Sequence, residues 1–197
     1  MRAIANLVRC AARFRAADAG VAAVEFALIL PIMLMVYIGM VEASALISMD
    51  RKIQSVSGAV GDLVARSPSA ITSGELKDYL EVAGGIMTPY SDEKLEQIVT
   101  QIEVSDGGIA TVVWSRRYAN DADGLRVLET EGAHEEGEEY DDLPDEIVAI
   151  ALGQHVIMAE SSYSYPPLYG IVFDQPINLY RQNFFLPRFG ERIVLDP

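Results

Sequence analysis

Few side chains in this sequence have the types and spacing that chemistry needs. It holds two histidines, His134 and His155, and one cysteine, Cys10. A Ser-His-acid triad is set by geometry rather than chain order. Even so, Gly-x-Ser-x-Gly is missing, and no serine has an obvious histidine and acid partner. Neither His-x-x-x-His nor a cysteine-based metal spacing occurs, and Gly107-Gly108 reads as a turn rather than a phosphate-cradling loop. Asp121-Ala122-Asp123-Gly124 begins like a calcium loop but lacks the later ligands. The expectation is a protein that is not an enzyme, with no cofactor and no metal. One carboxylate stands apart. Glu25 lies near the start of a long apolar run, where a lone charge is costly and reads as functional by default. Its chemistry would be ion pairing.

Two readings stand for Glu25. It can lie at a membrane interface, near a helix start whose dipole suits a carboxylate. Alternatively it accepts a positive partner during assembly, and an amino terminus freshly exposed at Val21 is the natural candidate. Such a pair is strong in apolar surroundings only when both charges are satisfied.

The elements around Glu25 bear on that choice. Residues 1–20 hold four arginines (Arg2, Arg9, Arg13, Arg15) and end on a small residue, Gly20. A secretory signal carries its apolar stretch before the cut site; here that stretch follows Gly20, so cleavage would leave it on the mature chain. No residue from Phe26 to Val41 is charged, and extension to Ile47 adds only Glu42. Val21 to Ile47 would span roughly 40 Å as a helix, enough for a hydrocarbon core of about 30 Å. The arginines keep the leader cytoplasmic and put everything after about Asp50 outside. Within the helix, Pro31 removes one backbone hydrogen bond. It is either a tolerated kink or a point where the helix can melt on leaving lipid. Gly39 permits close helix approach, and Glu42 reads as interfacial.

Removing residues 1–20 takes away four of the 15 basic and one of the 29 acidic side chains, so the net charge falls from −14 to −17. That excludes a nucleic-acid partner, whose phosphates demand a basic surface. It also removes the only cysteine, so an intramolecular disulfide or a cysteine nucleophile is excluded.

The set Gly20, Glu25 as fifth mature residue, then Phe26, resembles the class III signal of type IV pilin-like proteins. Glu25-Phe26-Ala27-Leu28-Ile29-Leu30-Pro31 followed by Gly39-x-x-Glu42 is similar to the TadE-like family of the tight-adherence (Flp-type) pilus system. The stretch Glu160-Ser161-Ser162-Tyr163-Ser164-Tyr165-Pro166-Pro167-Leu168 looks like the end of such proteins. The family usually follows the membrane helix with an Ala/Arg-rich segment, where this chain has Ser55-Val56-Ser57-Gly58-Ala59-Val60-Gly61-Asp62. The resemblance implies cleavage after Gly20 by a prepilin peptidase, with Glu25 as the assembly carboxylate. It also implies a pseudopilin or minor pilin whose partners are other pilins and the inner-membrane assembly platform. The major pilin of that system is much shorter.

Behind the anchor, Ile53, Val56, Val60, Leu63 and Val64 continue the helix as an amphipathic one to about Arg66, and Ser67-Pro68-Ser69 ends it. Ser73 to Val82 reads as a short helix closed by Gly84-Gly85, and Ser91 to Leu95 as a further turn. Ile98–Val104 and Ile109–Tyr118 form a hairpin across Asp106-Gly107-Gly108, with Trp114, Tyr118 and Val112 on one face. Residues 129–146 hold ten acids and no Lys or Arg, which predicts an extended mobile loop, solvated or facing a partner. Glu146–Leu152 reads as a short helix. Gln154–Tyr165 is the clearest strand, and Asn178–Phe185 and Arg192–Leu195 read as closing strands.

The expected architecture is α+β: a leader (1–20), a transmembrane and assembly helix (21–66), and a periplasmic domain (67–197) whose small antiparallel sheet packs on the long helix. The rival reading is a single-span inner-membrane protein with an uncleaved leader and a periplasmic binding or sensor domain.

Overall fold

A computed structural model of the chain describes residues 20–129, 133–170 and 174–197. Of the leader, only Gly20 falls among them. The chain forms two compact units, Met1–Ser44 and Ala45–Pro197. Among the described residues the first is helical from Val21 onward, the start of α1 (Val21–Ala65), an uninterrupted helix that contains Pro31.

The second unit is α+β, as expected. After α1 come β1 (Ala70–Thr72), α2 (Ser73–Gly84), a 3-10 turn (Gly85–Met87), β2 (Leu95–Val104) and β3 (Ala110–Asn120). Then follow β4 (Arg126–Glu129), α3 (Asp145–Ile150), β5 (Gln154–Tyr165), β6 (Ile177–Phe185) and β7 (Val194–Asp196). The main sheet is antiparallel, in the order β4-β3-β2-β5-β6.

Each element follows from its residues. In α1, Met49, Ile53, Val56, Val60 and Val64 recur every three or four positions and are 0–1 % exposed. That stripe packs with Leu95, Val99, Ile157 and Ala159 of β2 and β5 in one core. Burying each such side chain contributes about 1.5–3 kcal/mol. α2 opens with a capping box. The Glu75 N–H donates to Thr72 Oγ1 (3.2 Å), and the Thr72 N–H donates back to the Glu75 carboxylate (2.9 Å). That bond holds the Glu75 carboxyl below its ordinary range.

Three expectations are corrected. First, the acidic segment, expected as an extended loop free of the sheet, runs against the sheet where it is described. Its described part, 133–146, lies along β3: Gly137 N–H donates to Val112 O, Val112 N–H to Glu138 O, and Tyr140 N–H to Ala110 O, at 2.8–2.9 Å. Strand alternation leaves Ile102, Val104, Val156 and Met158 on the sheet face away from α1, and that face needs cover. Leu143 and Ala151 join it, with Tyr140, Ile147 and Val148 packed against them. The carboxylates stay exposed while the backbone pairs, so like-charge repulsion does not unfold the segment.

Second, Val112 does not share a face with Trp114 and Tyr118. Gln101 pairs with Trp114 but Ile102 pairs with Val112, so Val113 is an extra residue, a bulge. Trp114 and Tyr118 remain in the α1-facing core, whereas Val112 lies opposite Ile102, which belongs to the core of the other face. The Trp114 indole donates to Gln101 Oε1 (2.6 Å) and to Ile193 O (2.9 Å), fixing the carboxy-terminal segment to β3. Third, the last strand does not close the main sheet. β7 pairs in parallel with β1.

Gly61 sets how closely α1 approaches the sheet. A Cβ there would stand 2.4 Å from Cδ2 and Cε2 of Phe185 and 3.2 Å from the Ala159 Cβ. At Gly58 it would meet only Asn183 Nδ2 at 4.0 Å. Gly61→Leu should therefore destabilise the domain by about 1–3 kcal/mol through overpacking, lowering the thermal midpoint by several degrees. Gly58→Ala should be neutral or stabilising by up to about 1 kcal/mol. Thermal melts of the full chain followed by Trp114 fluorescence check both; equal midpoints for Gly61→Leu and wild type would contradict the close packing.

Candidate functional site

The residues singled out by sequence all lie on α1 or at its start. The helix begins at Val21, immediately after Gly20. Among the described residues nothing lies within 4 Å of a Cβ built on Gly20, so they make no steric demand for glycine there. Val21 is 53 % exposed and Phe26 60 % exposed. Glu25 and Pro31 are exposed as well, Gly39 is half-buried and Glu42 is buried.

From Val21 to Tyr37 every side chain is exposed, Leu28, Ile32 and Met35 among them. Leaving so much apolar surface in water is unfavourable at about 25 cal/mol per Å², and a contiguous patch of this size marks an interaction surface. Val21–Ala65 contains an 18-residue window of mean hydropathy 2.4, none of it buried, and is long and apolar enough to cross a membrane. It fits a single-pass membrane protein. Glu25 is the only ionisable side chain between Gly20 and Tyr37. Chemically, this segment can enter lipid or pack against other apolar helices, and it can present one negative charge four residues from its start.

The charged residues that follow on α1 pair with the rest of the second unit. Asp50 pairs with Arg181 of β6 (2.6 Å). Asp62 pairs with Arg66 and with Arg188 (2.6 Å to the latter), and those two guanidiniums, Arg66 first, hold its carboxyl below the usual range. Gln54 donates to Asn183, whose own amide donates to Ser57 Oγ. These contacts fix the register of the exposed side of α1 against β6.

The two histidines are not brought together. His134 lies against Glu160, with Nε2 2.9 Å from Oε2. His155 pairs with Glu103 five residues back along β5, roughly 16 Å away, where burial lowers its pKa. Around Glu160, which is 6 % exposed, the Tyr180 hydroxyl donates at 2.5 Å, and the Tyr140 ring meets His134 edge-on at 5.2 Å. Burial first, then the Glu160 charge, pushes the Tyr140 phenol up to about 12. Burial also raises Tyr180, with its bond to Glu160 adding to the shift.

Ser161, the neighbouring hydroxyl, faces the opposite side of the sheet by strand alternation. The cluster therefore works as a clamp, tying the acidic segment to β5 and β6. The sequence showed His134 only as a residue of an acidic stretch. No local spacing signals a partner 26 residues away. Among the described residues, no group of three or more His, Cys, Asp or Glu can hold a metal ion.

Residues 20–60 match the model of the TadE-like protein family. The TadE-like resemblance carried by Glu25–Pro31 and Gly39-x-x-Glu42 holds over this segment, and it associates the chain with the tight-adherence pilus system. The second stretch of resemblance, 160–168, lies outside the matched residues. No curated protein and no solved structure matches the chain.

Proposed function

We propose, on the premise that residues 20–60 are TadE-like, that this chain is a pseudopilin or minor pilin of a tight-adherence pilus. In this reading a prepilin peptidase removes residues 1–20. Val21–Ile47 holds the mature chain in the inner membrane, and the domain that follows lies in the periplasm. On assembly, the apolar helix leaves lipid for a bundle of like helices formed with other pilins at the inner-membrane platform. Glu25 then pairs with the amino terminus of a neighbouring subunit, and the pair offsets the cost of taking both charges into an apolar bundle.

The observation that carries this reading is the exposed apolar helix that starts at Val21 and bears a single carboxylate four residues on. A function by assembly needs no catalytic group, and the clamp around Glu160 serves to hold the domain together. Cells lacking the chain should lose surface pili, counted after shearing, and regain them when it is restored. Undiminished pili would contradict the proposal and favour a single-span sensor or binding protein that keeps its leader.

A further inference from the structure

A cavity of about 390 Å³ opens in the second unit. Its walls are Met49 of α1, Tyr90, Glu93 and Lys94 of the segment before β2, and Tyr163 and Tyr165 at the end of β5. Residues 166–168 form its lip. The volume lies within the range of ligand sites, about 300–1,000 Å³.

The site is built rather than incidental. Lys52, three residues after Met49, donates to the carbonyls of Ile86 (2.8 Å) and Thr88 (2.7 Å), fastening the segment that leads to Tyr90 onto α1. The Tyr163 hydroxyl donates to Ser91 O (3.1 Å), closing that segment against β5. Tyr163 and Tyr165 are each 5 % exposed and form firm walls. Glu93 and Lys94 are exposed, and neither pairs with an oppositely charged side chain among the described residues. Burial, and next the Glu93 charge, raises the Tyr163 phenol, so that carboxylate's field acts on the cavity wall.

The cavity's level along the chain identifies its occupant. Met49 follows Ile47, the end of the apolar run, by two residues, a rise of about 3 Å, and Asp50, Arg51 and Lys52 come next. In the membrane reading of α1, Met49 lies about 10 Å past Glu42, on the headgroup side of the hydrocarbon core. Leu168 and Tyr169, at and beside the lip, are 54 % and 57 % exposed; tyrosines concentrate at this level of a bilayer. The net charge of −14 disfavours an anionic surface. The cavity itself carries one acid and one base. A zwitterion answers both: an ammonium against Glu93 and the tyrosine faces, and a phosphate against Lys94.

We propose that this cavity seats the headgroup of a zwitterionic phospholipid from the bilayer that α1 enters. The proposal rests on the membrane reading of α1. It is tested on the full chain in detergent, with lipid retention measured by native mass spectrometry against phosphatidylethanolamine and phosphatidylglycerol. Wild type should hold phosphatidylethanolamine about tenfold more tightly, and Glu93→Gln with Lys94→Gln should abolish the preference, since both side chains are exposed and unpaired. Equal retention of the two lipids by wild type, or an unchanged preference in the double variant, would overturn it. A photocrosslinker at position 168 should capture lipid; capture of a second copy of the chain would overturn it as well. Flotation with vesicles of the same two lipids separates the failures. A chain that does not float overturns the membrane reading and this inference together, and one that floats without preference overturns this inference alone.

Discussion

Replacing Glu25 by alanine should leave the leader removed and yet lower the incorporation of this chain into assemblies by on the order of 100-fold, the scale of breaking a buried ion pair. The carboxylate is the only ionisable side chain between Gly20 and Tyr37, so no neighbour can take over its charge. When lipid or other helices enclose the segment, an unpaired amino terminus on the adjacent subunit becomes a buried, uncompensated charge. That loss, more than the loss of one attraction, makes the effect large. Glu25→Gln keeps the shape and removes the charge, so it should assemble as poorly as the alanine variant. Glu25→Asp keeps the charge on a shorter arm and should recover part of the assembly. The measurement is the amount of mature chain crosslinked to other pilins in membranes and recovered with sheared filaments. Wild-type recovery for Glu25→Ala would leave the residue with only an interfacial role.

Gly20→Leu should accumulate full-length precursor and reduce the mature form at least about tenfold. A pocket that accepts a residue without a side chain has no room for a branched one. The experiment is clean because the fold itself is indifferent to this position. Among the described residues a Cβ there meets nothing within 4 Å, and Gly20 belongs to the first unit rather than to Ala45–Pro197. The thermal midpoint of the domain should therefore stay at its wild-type value while processing stops. Immunoblots that resolve precursor from mature chain read the first quantity, and a melt of the purified protein reads the second. Normal processing of Gly20→Leu would show that the glycine is not read by a peptidase.

Local pattern carried the elements whose signals are local. The stripe Ile53, Val56, Val60, Val64 needs only its own spacing to declare a helix with one buried face, and β5 was legible from Gln154 to Tyr165 because it is rich in Val, Ile and Tyr and is stopped by Pro166-Pro167. β1 and β7 were not legible as a pair. Each has three residues, and their parallel pairing joins positions more than 120 apart, a contact that no window along the chain contains. The bulge at Val113 was equally hidden, because two-residue alternation cannot show where one residue is added.

The acidic segment misled for a physical reason. Its ten carboxylates dominate the composition, but Tyr140 and Leu143 within it, with Ile147, Val148 and Ala151 just beyond, supply the apolar contacts that cover the sheet. For the candidate site the case is reversed. Gly20, Glu25 and Pro31 could be singled out from sequence because what marks them is their spacing along and just before one helix, and the structure adds that the helix is exposed from Val21 to Tyr37.

The central claim, that this chain is a processed pilin-like subunit, is tested most directly by the mass of its amino-terminal peptide, measured in cells with and without the prepilin peptidase. The account predicts a chain that starts at Val21 when the peptidase is present and retains residues 1–20 when it is absent. A chain that begins at Met1 in both strains would contradict it.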